Sequence, residues 1–145
     1  MTTIAADKTG MAADSQAQTS DVKTSVQKIW RIRGWLIGVA GSYNEALEVV
    51  EQLKRNTDLN PLEYLGEHVT RAKETDFLIV SPSSKVYCSD GGGHPTPLME
   101  GFGAIGTGAQ GAMVALHMGL SPADAVRAVK KVDPSTGGRV VMRKI

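Results

Sequence analysis

The spacing of turn signals restricts the fold of this chain more than any single motif does. Asp7-Lys8-Thr9-Gly10, Arg33-Gly34 and Ser81-Pro82-Ser83-Ser84 each separate two short apolar runs. Residues 2–6 and 11–14 flank the first turn, residues 28–32 and 35–39 the second, and residues 76–80 and 85–89 the third. Short runs on either side of a tight turn predict three β-hairpins, with glycine supplying positive φ in the first two. The polar stretch 15–24 reads as an irregular connection.

Helices fall between these pairs. Ser42-Tyr43-Asn44-Glu45 matches a capping box, and Ala46, Val49, Val50 and Leu53 then share one helical face. Residues 56–61 break that helix, and Leu62, Leu65 and Val69 suggest a short second one. A Gly/Pro-rich loop over 90–97, including Gly91-Gly92-Gly93-His94-Pro95, leads to a strand over 102–105. A helix carrying Ala109, Ala112, Met113 and Leu116 on one side follows and stops at Gly119. Ser121-Pro122 starts another, with Ala125, Val126, Val129 and Val132 on its buried side. A loop over 133–138 precedes a last strand over 139–145. Strand pairs alternate with helix pairs, so antiparallel sheet packed on helices is the expected solution. The class is α+β, with two antiparallel sheets between two helix layers and one domain spanning residues 1–145.

Composition narrows the function. The 145 residues are 41 % hydrophobic and 21 % charged, ordinary values for a soluble domain. A net charge of +1 gives no electrostatic case for nucleic acid or an anionic membrane. Arg139, Arg143 and Lys144 read as a solvated strand face. Cys88 is the single cysteine, which excludes an intrachain disulfide and suits the cytoplasm. No secretory signal opens the chain, and no apolar run approaches the ~20 residues that cross a bilayer. His68, His94 and His117 lack metal-ligand spacing with one another or with Cys88, so neither metal nor cofactor is expected.

Six elements bear on chemistry. Thr2 follows the initiator methionine, and threonine is small enough for Met1 to be cleaved. The new N-terminus would carry a hydroxyl and an α-amine of pKa about 8, which can accept the hydroxyl proton near neutrality. Many chains begin Met-Thr for no catalytic reason, so this element needs the others. Asp14, in Ala12-Ala13-Asp14-Ser15, is a carboxylate on an apolar strand, costly to bury unless paired. Lys28, before Ile29, is its candidate partner, and an ammonium beside Thr2 would favour the free amine and the alkoxide. A surface ion pair is the competing reading. Ala40-Gly41-Ser42 joins a strand to a helix N-terminus, where backbone N–H groups can receive an oxyanion.

Gly106-Thr107-Gly108-Ala109-Gln110-Gly111 matches G-x-G-x-x-G. Too few residues follow Gly111 for a dinucleotide fold, and the preceding hairpins have the wrong alternation. Small residues that let a helix approach the sheet closely explain it better. Asp133-Pro134-Ser135-Thr136-Gly137-Gly138 combines an acid, two hydroxyls and two glycines before a strand, which alone would be an ordinary capped turn.

In this order, these segments resemble the proteasome β-subunit family. The likeness is greatest to its bacterial HslV-type branch and to small HslV-like proteins of bacteria and phages. It spans essentially the whole chain, and the Thr2-Thr3-Ile4 start and Ala12-Ala13-Asp14-Ser15 are its most specific parts. The resemblance implies an αββα sandwich of the N-terminal nucleophile hydrolase type and a threonine endopeptidase activity. Thr2 matches the nucleophile, with its own amine as general base. Asp14 and Lys28 match the charge pair beside it, and Gly41 the oxyanion-hole glycine. Thr107 stands where the family usually has serine. Asp133 and Thr136 match the acid and hydroxyl that orient the amine, again with threonine for serine. Also implied are a peptide or unfolded-protein substrate, a homo-oligomeric ring or stacked rings enclosing the sites, and an ATPase unfoldase as partner. The chain is shorter than typical members, trimmed between Asp14 and Lys28 and between Lys28 and Gly41, and without a tail after its last strand. Two alternatives stand beside the peptidase: an inactive assembly protein that keeps the fold, and an amidase acting on a small amide.

Overall fold

A computed structural model of the chain describes residues 2–19, 21–68, 75–89 and 94–145. Strands β1 (Thr3–Asp7) and β2 (Gly10–Ala13) form the first expected hairpin, β5 (Ile29–Ile32) and β6 (Trp35–Ala40) the second, and β7 (Asp76–Val80) and β8 (Val86–Ser89) the third. Strands β3 (Gln16–Thr19) and β4 (Val22–Ser25) pair in a small sheet of their own where an irregular connection is expected. All four described β4 residues are exposed, so no apolar alternation marks it. A two-residue strand, β9 (Thr96–Pro97), pairs with β8 inside the expected loop, and β10 (Phe102–Gly106) and β11 (Val141–Lys144) complete the set. Residues 90–93 of that loop lie outside the described residues.

Strands β10-β1-β2-β11 make one sheet and β5-β6-β7-β8-β9 the other, with every pairing antiparallel. Period-two alternation sends each strand's residues to opposite layers. Ile4, Ala6, Met11 and Ala13 meet Leu36, Leu78, Val80 and Ile105 between the sheets. Gly38 is what allows the sheets so close, since a Cβ there would lie 2.7 Å from Met11 Sδ. Phe77 and Ile79 turn the other way, onto helices α1 (Tyr43–Arg55) and α2 (Pro61–His68). Ala5 and Ala12 face α3 (Ala109–His117) and α4 (Pro122–Lys130). The expected two sheets between two helix layers are therefore present.

Local rules account for the helix limits. The Ser42 hydroxyl accepts from the Glu45 N–H at 3.4 Å, while the Glu45 carboxylate takes the Thr75 hydroxyl. Ala46, Val49, Val50 and Leu53 are the buried face of α1, as their spacing requires. Val69, expected to extend the second helix, lies outside the described residues. Ser121 caps α4 through the Asp124 N–H, with Pro122 in its first turn. Val132, expected on the buried side of α4, lies beyond the helix and is 81 % exposed. Among the described residues no helix is long and apolar enough to cross a membrane.

Candidate active site

The end of β1 is where the polar residues converge. Thr2 precedes β1 and is only 6 % exposed. It lines a cavity of about 210 Å³ with Lys28, at the start of β5, and Gly41, between β6 and α1. Gly41 adopts φ +123°, a conformation L side chains rarely take, so the bend from strand to helix depends on glycine here. Val26, Val39, Tyr43 and Ala46 supply apolar wall, and Gln16, Ala17 and Gln18 of β3 close one side. The sequence signals missed this wall along with β3.

Lys28 is buried, and its Nζ lies 2.9 Å from Asp14 Oδ1, with side-chain exposures of 5 % and 0 %. The surface-pair reading is thereby excluded. Burial is the larger influence on the Lys28 ammonium and lowers its pKa from 10.5, while the hydrogen bond and charge of Asp14 act in the opposite direction. Asp14 is held from three directions. Its Oδ1 also accepts the Thr3 N–H at 3.0 Å, and its Oδ2 accepts the Gly137 N–H at 3.1 Å. These bonds compensate the desolvation that an isolated buried carboxylate would suffer.

A second network lies on the helix side of β1. Asp133 Oδ2 accepts the hydroxyls of Thr136 at 2.8 Å and Thr107 at 3.1 Å, and Oδ1 accepts the Ser135 N–H at 2.9 Å. The Ser135 bond is the largest influence holding the Asp133 carboxyl below its ordinary 3.8, and the two threonine hydroxyls act in the same sense. Thr107 Oγ also lies 3.4 Å from the Thr2 carbonyl oxygen. Thr136 Oγ lies 2.6 Å from Thr3 Oγ.

All seven residues singled out in the sequence thus fall into one connected region. Thr2, Lys28 and Gly41 border the cavity; Asp14 braces Lys28; Thr107, Asp133 and Thr136 form the cluster behind the Thr2–Thr3 peptide. Thr3 and Gly137, which link the two networks, lie inside motifs the sequence displays but are assigned no role of their own there. Gly106-Thr107-Gly108 acts sterically: a Cβ on Gly106 would lie 1.9 Å from the Thr2 carbonyl oxygen, and one on Gly108 2.1 Å from Thr3 Oγ. His94 and His117 are exposed, the latter edge-on to Phe102, and neither joins the site.

No family model matches the chain, and no curated protein sequence is similar to it. Its likeness is to solved structures. Thiobacillus denitrificans BPH superposes with a TM-score of 0.82 at 16 % identity, over 99 % of this chain and 97 % of that one. The same protein in complex with epoxomicin gives 0.76 at 17 %, over 100 % and 98 %. Eukaryotic HslV from Trypanosoma brucei gives 0.78 at 20 %, over 98 % of each chain. The fold is therefore that of the proteasome- and HslV-type N-terminal nucleophile hydrolases.

Proposed function

We propose that this chain is a threonine-type endopeptidase acting through Thr2 once Met1 is removed. The observation that carries the reading is the shared cavity: a buried threonine, a buried lysine braced by a buried aspartate, and a positive-φ glycine at a helix start all border one space. Loss of Met1 gives Thr2 a free amine, which takes the proton from Oγ as Oγ attacks the substrate carbonyl carbon. Backbone N–H groups around Gly41 stabilise the resulting oxyanion. The amine passes its proton to the leaving nitrogen, the C–N bond breaks, and an ester on Thr2 remains. Water then attacks the ester, its proton goes to the amine, and Oγ recovers a proton as the acid leaves. Lys28 contributes positive charge that favours the free amine and the alkoxide.

Val114, Met118 and Val132 are exposed on the α3–α4 side, apolar surface consistent with burial between copies in an oligomeric chamber. Cytoplasmic location and service to an ATPase unfoldase complete the proposal.

The test is an intact mass before and after treatment with a peptide epoxyketone, the reagent class of the epoxomicin bound to Thiobacillus denitrificans BPH. Loss of Met1 and one adduct on Thr2 is the expected result. A retained Met1 with no adduct would overturn the reading in favour of an assembly protein without activity.

A further inference from the structure

Thr3 faces away from the cavity, yet it is the point where the two networks meet. Its N–H donates to Asp14 Oδ1 at 3.0 Å, the oxygen that also takes Lys28. Its hydroxyl lies 2.6 Å from that of Thr136, and the residue is wholly buried. The direction of that bond follows from counting protons. A hydroxyl has one, and Thr136 gives its own to Asp133 Oδ2 at 2.8 Å. Thr3 must then be the donor, so a one-way chain runs from Thr3 through Thr136 to the Asp133 carboxylate.

This chain fixes one peptide plane. The Thr2–Thr3 peptide presents its N–H to Asp14, while its carbonyl lies beside Gly106 and 3.4 Å from Thr107 Oγ. For a residue at a chain terminus, that plane is the only backbone anchor, and its rotation decides where the amine and the Cβ–Oγ arm point. We propose that Thr3 is a positioning residue, whose hydroxyl bond to Thr136 holds the Thr2–Thr3 peptide and thereby aims the Thr2 amine and Oγ into the cavity. This rests on the peptidase reading. A misplacement of about 1 Å at a reacting group can cost about 10²-fold in rate, so a small rotation here is enough to matter.

Thr3→Val keeps the shape and the backbone N–H but removes the hydroxyl; Thr3→Ser keeps the hydroxyl. Steady-state hydrolysis of a fluorogenic peptide and the rate of epoxyketone adduct formation are measured for both, with Thr136→Val breaking the same chain one link further on. The expected result is a fall in kcat of about 10- to 100-fold for Thr3→Val. KM should stay nearly unchanged because Thr3 does not line the cavity, the adduct rate should fall in parallel, and Thr3→Ser should recover most of the loss. Wild-type kcat in Thr3→Val, or equal losses in Thr3→Val and Thr3→Ser, would overturn the positioning role while an adduct on wild-type Thr2 left the peptidase reading standing. If Thr3→Val does not fold, Thr3→Ala set against Thr3→Ser, which differ only in the hydroxyl, decides by the same split between kcat and KM. A wild-type protein that forms no adduct takes both proposals down together.

Discussion

Lys28 Nζ and Asp14 Oδ1 sit 2.9 Å apart, with only 5 % and 0 % of their side chains exposed. A pair so placed is held by geometry, because each charge has lost its solvent and depends on the other. Exposed pairs among the described residues, such as Arg55–Glu51 and Arg127–Asp124, are different in kind, and each contributes about 0–1 kcal/mol.

Removing one member of the buried pair should therefore be costly twice over. Lys28→Ala is expected to lose about 3–5 kcal/mol of folding stability, read by urea denaturation, and to lose nearly all peptidase activity. Lys28→Met combined with Asp14→Asn removes both charges. It should recover much of the stability and none of the activity. Equal stability of Lys28→Ala and wild type would contradict the burial described for this pair.

Thr2→Ala should abolish adduct formation and hydrolysis while leaving the thermal midpoint close to wild type. Full peptidase activity in this variant would remove Thr2 from the mechanism.

Activity should depend on pH in a bell. The α-amine must be unprotonated to act as base, so activity rises as pH climbs through the amine's pKa, ordinarily about 8 and lowered by the Lys28 charge beside it. Lys28 must stay charged, and burial sets its pKa below 10.5, so activity falls before that value is reached. The falling limb is not unfolding caused by Lys28. Its folded pKa is the lower one, so the unfolded chain holds the proton longer, and Lys28's own contribution to stability increases with pH across that window. A pH–rate profile paired with denaturation at each pH separates the two.

Asp133 predicts an acid limit of the opposite origin. Its folded pKa lies below 3.8, so its stabilising bonds to Ser135, Thr136 and Thr107 are fully present above that value and are lost as pH falls through the folded one. Asp133→Asn should flatten the stability profile below about pH 3.8.

Much of the fold was legible because its turns carry their own chemistry. Gly34 makes the turn between β5 and β6 at a positive φ that favours glycine, Gly10 opens β2 where an added Cβ would strike the Arg143 backbone, and Ser42 and Ser121 cap helices through their hydroxyls. The β3–β4 hairpin was not legible, because β4 is exposed on both faces and leaves no apolar period to read. Val132 misled because apolar spacing continues past Lys130, where the helix has already ended, and the breaker Pro134 comes only after Val132. The site residues could be singled out by type and order. Their connection through Thr3 could not, because it depends on which face of β1 meets the loop before β11.

Gly106→Ala tests the closeness of that approach. Gly106 has φ +95°, and an added Cβ would collide with the Thr2 carbonyl, which is backbone and cannot swing aside. Strain of about 1–3 kcal/mol should lower the thermal midpoint, and the displaced Thr2 should lose activity beyond what the stability change explains.

Thr2 is attached to a strand that is bonded on both flanks, to β10 through Thr3–Gly106 and to β2 through Ile4–Ala13. Partial opening of proteins begins at frayed ends and weakly held segments, and here those are β9, the β3–β4 sheet and the outer edge of β11. The amides of Ile4, Ala5 and Ala6 are then among the last to exchange with deuterium. Heating should leave the reactive end of the chain in register until the sandwich melts as a unit, so that inactivation and global unfolding share one midpoint.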